Sequence, residues 1–350
     1  MLEMYSQTRI VKMSNQKPEV SPALFFKTVN AYQQTAVIKA AIELDVFTAI
    51  NEGNDTAASL AKKCSTTDRG IRILCDYLVV LGFLTKSKER YNLSVDSATF
   101  LVKNSPAYAG GVVEFLLASG ITEGFKDVAA AVRTGGTAIP EAGTLAPEHP
   151  VWVKFARSMA PMMALPAQLM AKLVSADAGS PLKVLDIAAG HGLFGIAFAK
   201  LYPHAQIVAV DWPNVMEVAK ENAQAAGVGS RYRTIGGSAT EVDYGSDYDL
   251  VLLTNFLHHF DATACEQLLK KVHAALREGG RAVTLEYIPN ADRVSPPEAA
   301  TFSMTMLCTT PGGDAYTFAE FEQMFSNAGF SASELHPLPP TSEQVVISHK

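Results

Sequence analysis

From Pro181 onward the chain alternates continuous apolar runs with longer segments of helical periodicity. LKVLDIAA, AQIVAVD, YDLVLLTN and RAVTLEYI read as strands. FGIAFAKLYP, NVMEVAKENAQAAG and ATACEQLLKKVHAALREGG read as helices, the second closed by Gly227 and the third by its Gly-Gly. Strands that are apolar along their whole length must be covered on both faces, and strands joined through helices run parallel. The expected fold is therefore α/β: a Rossmann-like, mainly parallel sheet with helices on both faces. Thr317 and Glu320 form a capping box that opens a further helix, stopped near Asn327 and Gly329. SASELHPL and QVVISHK, joined by a short Pro-Pro link, are expected to close the sheet as an antiparallel hairpin.

The upstream half has a different texture. Residues 22–50 carry one or two helices, and two shorter helices follow, TAASLAKK and Thr67–Phe83, the latter with Thr67 or Asp68 as its cap. LTKSKERYNLSVDS then reads as a β-ribbon around a charged turn, which completes a winged-helix pattern over residues 1–105. Residues 106–180 are again helical, punctuated at Gly135-Gly136, Pro140, Gly143 and His149-Pro150. They form a connector that contributes to the pocket of a third segment, 181–350. A chain of 350 residues is ample for two domains at roughly 100–200 residues each.

Winged helices often read DNA, yet residues 1–105 hold 13 Lys and Arg against 10 Asp and Glu, a net of +3. The third helix, IRILCDYLVVLGFL, is apolar nearly all round, whereas a groove-reading helix needs several polar side chains and a basic footprint. A helix apolar on two faces is more often buried between subunits. The whole chain carries −6, which favours neither nucleic acid nor an anionic membrane. Cys64, Cys75, Cys265 and Cys308 show no CxxC spacing, so no zinc or redox pair is indicated, and the usage fits a reducing compartment. No apolar run approaches the roughly 20 residues of a membrane span. The N-terminal lead-in lacks a signal-peptide h-region, and Met13 is an alternative start. A cytoplasmic location is expected.

The sharpest local motif is VLDIAAGHGLFG, in which Gly190, Gly192 and Gly195 make a GxGxxG between strand and helix. Such glycines let backbone pass close to a ligand, and alone they fit NAD, FAD or S-adenosylmethionine (SAM). Two acids bear on the choice. Asp186 precedes the glycines, where a carboxylate would repel a pyrophosphate and favour a cationic, phosphate-free nucleoside. Its alternative role is to cap a loop amide. Asp211 ends the second strand, where it suits the ribose hydroxyls of NAD or SAM equally; it also suits a helix cap. LTNFLHHFD follows another strand, so His258 and His259 stand beyond the carboxyl ends where ligands lie in open sheets. Adjacent residues point apart, so at most one is expected to face a substrate. His258 also suits a metal ligand or a buried polar group, but no accompanying His, Asp or Glu spacing supports metal.

VLDIAAGHGLFG, AVDWP, LTNFLHHFD, LREGGRAVTLEYI and MLCTTPGGDAYTFAEFEQMFSNAGF, in this order, resemble the small-molecule SAM-dependent O-methyltransferases. These include plant caffeate and flavonoid enzymes and bacterial tailoring enzymes. The resemblance covers nearly the whole chain. It implies a methyltransferase domain behind a winged-helix dimerisation domain, a homodimer, SAM as methyl donor and S-adenosylhomocysteine as product. It implies methylation of a hydroxyl on a small aromatic or polyketide-like metabolite. His258 matches the family's catalytic base, and Glu286 one of two glutamates flanking it. The base removes the proton from a phenol, whose pKa of about 10 makes it a poor nucleophile at neutral pH. Asp186, Gly190, Gly192 and Asp211 are the expected SAM-binding residues, with Trp212 against the adenine and Ser238, Thr254 and Phe260 at further cofactor-proximal positions. Phe155, Met159, Met306 and Thr310 match acceptor-lining positions, although a Phe–Met pair at helical spacing also suits any core. The methionines at 159, 162, 163, 304 and 306 suggest an adaptable apolar pocket.

Two positions depart from the family. Ala315 stands where the second glutamate is found, with Asp314 and Tyr316 beside it, and Gly237-Ser238 replaces Gly-Asp at the adenine contact. The alternatives are a SAM-binding relative that methylates carbon or nitrogen, or decarboxylates or hydroxylates, and a SAM-responsive DNA-binding regulator.

Overall fold

The computed structural model describes residues 20–140, 143–174 and 179–350. The N-terminal lead-in and Met13 lie outside these residues. Two compact units are present, one ending at Ser105 and one running from Pro106.

In the first unit, the stretch 22–50 forms three helices rather than one or two: Ala23–Val29, Ala31–Glu43 and Val46–Asn51. The second break falls at Asp45, which adopts the left-handed conformation at φ 58°. Two more helices follow. Thr56 caps Ala57–Lys63 by accepting from the Ser59 amide, and Thr67 caps Asp68–Val80 by accepting from Gly70. Strands β1 (Leu84–Ser87) and β2 (Arg90–Leu93) pair as an antiparallel ribbon. Phe47, Leu60, Ile71, Leu78 and Tyr91 fill the core of this unit. The helix Ala23–Val29 buries nothing, so Leu24, Phe25, Phe26 and Val29 are all exposed.

The second unit is built on a seven-stranded sheet of order β5-β4-β3-β6-β7-β9-β8. Strands β3 (Leu182–Ile187), β4 (Ala205–Asp211), β5 (Tyr232–Gly236), β6 (Tyr248–Thr254) and β7 (Leu276–Glu286) are parallel. The expected hairpin of β8 (Ala332–Pro337) and β9 (Gln344–His349) is antiparallel, with β9 paired to β7. Two apolar clusters cover the two faces of the sheet. Two details differ from expectation. Strand β5 is an extra edge strand; as a half-exposed edge, YRTIG lacks the continuous apolar signature. Gly279-Gly280 does not stop a helix, because the helix Ala262–Ala275 already ends and Gly279, at φ 71°, lies within β7.

The order of strands reverses at β3, which is flanked by β4 and β6. That arrangement opens a crevice beyond the carboxyl ends. The glycine loop enters it from β3. Gly192 caps the helix Leu193–Leu201 at φ 75°, and Gly195 packs that helix onto the sheet. A Cβ on Gly195 would lie 2.7 Å from Ile207 Cγ2 and 2.9 Å from Asp186 Oδ2. Gly195→Ala is therefore expected to cost about 1–3 kcal/mol, as overpacked cores do. A thermal unfolding midpoint equal to that of the native protein would contradict this.

Candidate active site

A cavity of about 790 Å³ lies at the crevice, walled by the loops after β3, β4 and β6 and by helices upstream of β3. The residues that line it bring most of the expected site together. Gly190, Asp211, Trp212, Ser238, Thr254 and Phe260 are in the wall. Phe155, Met159 and Met306 are there too, as is His258.

Asp211 closes β4 with both oxygens engaged by backbone: Oδ2 accepts from Gly190 N at 2.7 Å and Oδ1 from Trp212 N at 2.7 Å. Burial pushes its carboxyl up to about 6, against the opposing pull of those two amides. It thus fixes the glycine loop and still presents acceptor lone pairs to the cavity. Ser238 Oγ pairs with Thr240 Oγ1 at 2.8 Å.

His258 sits on a short 3-10 turn, Leu257–His259, directly after β6. Its Nδ1 lies 2.5 Å from Glu286 Oε2. Glu286 ends β7 and is 1% exposed; its Oε1 accepts from Phe256 N and Leu257 N, both at 2.9 Å. The carboxylate therefore holds the turn and the ring at once. Phe302 packs edge-on against the imidazole at 4.7 Å between centroids. His258 Nε2 has no protein partner among the described residues. Held this way, the imidazole can donate from Nδ1 to Glu286 and present a basic Nε2 to a bound hydroxyl.

Several expectations need correction. Asp186 does not face the cavity. It is 0% exposed on β3 and its Oδ2 accepts from Gly195 N at 3.0 Å, so it caps the loop from behind. Burial pushes its carboxyl up to about 7, with the Gly195 amide opposing and Asp211 adding to the rise. The electrostatic preference read into Asp186 belongs instead to the cavity wall itself. Four acids line it, Asp211, Glu241, Glu298 and Glu343, and among the described residues no Lys or Arg does. Such a wall suits a cationic ligand without phosphate.

Gly192 and Thr310 also stand behind the wall. Thr310 Oγ1 donates to Met306 O at 2.8 Å and accepts from Gly313 N at 2.9 Å, which fastens a turn. His259 shares the wall with His258, the rings 4.2 Å apart, because the tight turn keeps both inside. His191 is buried, stacked on Phe155 at 5.9 Å, and burial pushes its imidazole down to about 4. Of the methionines, Met159, Met163 and Met306 line the cavity, while Met162 and Met304 are each 44% exposed elsewhere. Neither neighbour of Ala315 replaces the absent acid: Asp314 pairs with Arg293 at 3.2 Å on the surface, and Tyr316 donates to Phe260 O at 2.6 Å.

The placement of Asp186 sets a pH dependence. An ordinary aspartate ionises near 4, in the unfolded chain as elsewhere. In the fold Asp186 keeps its proton until about 7, so between these values the folded state binds more protons and stability falls as pH rises. Asp186→Asn removes this contribution. The native-minus-variant stability, followed by denaturant titration, is expected to decline from pH 4 to pH 7; a constant difference would count against it.

Residues 125–331 match the O-methyltransferase domain model and residues 26–103 the O-methyltransferase dimerisation domain model. The chain is 28% identical over 316 residues to the 3-hydroxy-5-methyl-1-naphthoate 3-O-methyltransferase of Streptomyces sahachiroi, covering 89% of this chain and 90% of that one. It is 62% identical, with a TM-score of 0.91, to a Nostoc punctiforme protein whose crystal structure carries a provisional O-methyltransferase assignment; 95% of this chain and 99% of that one are covered. Human N-acetylserotonin methyltransferase in complex with SAM shares the fold at 21% identity and a TM-score of 0.81, over 96% and 99% of the two chains. The chain belongs to the O-methyltransferase family, with its dimerisation domain, and is a SAM-dependent O-methyltransferase. No helix among the described residues is long and apolar enough to cross a membrane.

Proposed function

We propose that this enzyme methylates a hydroxyl of a small aromatic or polyketide-like metabolite, with His258 as general base and Glu286 as the residue that orients it. The observation that carries this reading is the pairing of His258 Nδ1 with the buried Glu286 at 2.5 Å, with Nε2 left free in the cavity wall. The residues present fit SAM: the wall is acidic and, among the described residues, free of Lys and Arg, and Gly190, at φ 55°, brings backbone close. Asp211, Gly190, Trp212, Ser238, Thr254 and Phe260 would hold the cofactor, while Asp186 and Gly192 shape the loop from behind. SAM supplies an electrophilic methyl carbon when bound.

Everything else falls to the chain. Phe155, Met159 and Met306 present apolar surface to a flat acceptor. His258 Nε2 accepts the hydroxyl proton as the oxygen becomes nucleophilic, and Glu286 stabilises the resulting imidazolium through Nδ1–H. Holding the reacting groups in line can supply about 7–11 kcal/mol, and the base roughly 10²–10⁴-fold. The exposed apolar face of Ala23–Val29, which overlaps the start of the matched dimerisation region, supports a homodimer formed through the N-terminal unit.

The test is product analysis after incubation with methyl-labelled SAM and a panel of phenols and naphthols. Label on oxygen is expected. Label on carbon or nitrogen, or a product that has lost carbon dioxide or gained a hydroxyl without label, would favour the alternatives.

A further inference from the structure

We propose that Glu343 is a second anchor for the acceptor, and that the acceptors of this enzyme carry a further O–H or N–H donor besides the hydroxyl facing His258. The inference rests on the methyl-transfer reading above and narrows its substrate class.

Glu343 lies in the loop between β8 and β9, one residue before Gln344, the cross-strand partner of Glu286. It is 3% exposed and stands in the cavity wall. Its Oε1 accepts from Asn255 Nδ2 at 2.9 Å. Its Oε2 has no partner among the described residues. Among the described residues, no Lys or Arg lines the wall to pair with it. A carboxyl taken out of water without a cation or a full set of donors is costly, and such groups persist where a ligand completes them. Burial raises the carboxyl above the usual range, Glu286 adding to the rise and Asn255 and His258 opposing it.

The surroundings hold this side chain in place. Asn255 takes a left-handed conformation at φ 52° at the end of β6, its amide N–H donating to Leu285 O at 2.8 Å. That turn aims Nδ2 at Glu343 on one side and Met163 Sδ, at 3.7 Å, on the other. Thr341 Oγ1 fastens the loop to Leu338 O at 2.6 Å. Asn255 thus joins Glu343 to the turn that carries His258. A flat acceptor whose reacting hydroxyl meets His258 Nε2 can offer a second donor to Glu343 Oε2.

If Glu343 served only to hold Asn255, glutamine would serve as well, because its amide oxygen keeps that bond. Binding is therefore measured by calorimetry with S-adenosylhomocysteine present, for native protein, Glu343→Gln and Glu343→Met. The probes are 2-naphthol, three dihydroxynaphthalenes (2,3-, 2,6- and 2,7-) and 3-amino-2-naphthol. At least one two-donor probe is expected to bind the native protein about tenfold or more tighter than 2-naphthol, the scale of a hydrogen bond to a charged group. The advantage should vanish in Glu343→Met for every probe. It should vanish in Glu343→Gln for the amine, whose nitrogen is a poor acceptor for the new amide donor. S-adenosylhomocysteine affinity equal to native shows each variant folded. No advantage in the native protein, or an advantage that survives both substitutions, overturns the proposal. A two-donor advantage without methylation of any probe would defeat the methyl-transfer reading and leave Glu343 in its role. Methylation with equal affinities would do the reverse.

Discussion

Replacing His258 with alanine lowers kcat/KM for an unactivated phenol by roughly 10²–10⁴-fold at neutral pH. The substitution removes the one ring nitrogen that faces the cavity while bonded, through its other nitrogen, to a buried carboxylate. It leaves the apolar walls and Asp211 in place, so S-adenosylhomocysteine affinity should be retained. Residual activity is expected, because positioning is the larger contribution and survives the change. It should rise with pH as the acceptor ionises by itself. Steady-state kinetics across pH, with calorimetric cofactor binding as control, check this. An alanine variant with native kcat/KM at neutral pH would show that the proton leaves by another route.

Glu286→Gln should be nearly as damaging, by a different cause. The amide oxygen can replace Oε1 and keep the bonds from Phe256 N and Leu257 N, so the turn holds. The amide nitrogen then faces His258 Nδ1 and donates to it. Nδ1 becomes an acceptor, the ring proton moves to Nε2, and the nitrogen facing the acceptor is no longer a base. An acid-to-amide change behind a catalytic imidazole costs up to about 10⁴-fold in kcat. The expected signature is a fall in kcat of about 10²–10⁴-fold with little change in KM or in the unfolding midpoint. A loss confined to stability would mean that Glu286 only ties down the turn.

Much of this was legible in the sequence because it is local. Strand–helix alternation defines the sheet, and a motif that must follow a strand places Gly190, Asp211 and His258 at its carboxyl edge. Direction within a motif is less legible. Asp186 lies in the expected strand, yet its side chain turns to the Gly195 amide, a contact set by how closely the helix packs. Glu343 carried no spacing signal. It meets Asn255 across 88 residues of chain, through the pairing of β9 with β7 rather than through any local pattern. Thr310 looked like a wall residue by position and proves to be a turn clasp, because its hydroxyl finds Met306 O and Gly313 N first.

The claim at the centre is that His258 removes the acceptor's proton. It is tested most directly by comparing two acceptors of one shape, a phenol that is neutral at the assay pH and one already ionised there. His258→Ala is expected to lose roughly 10²–10⁴-fold for the neutral phenol and little for the ionised one. Equal losses for both would contradict it.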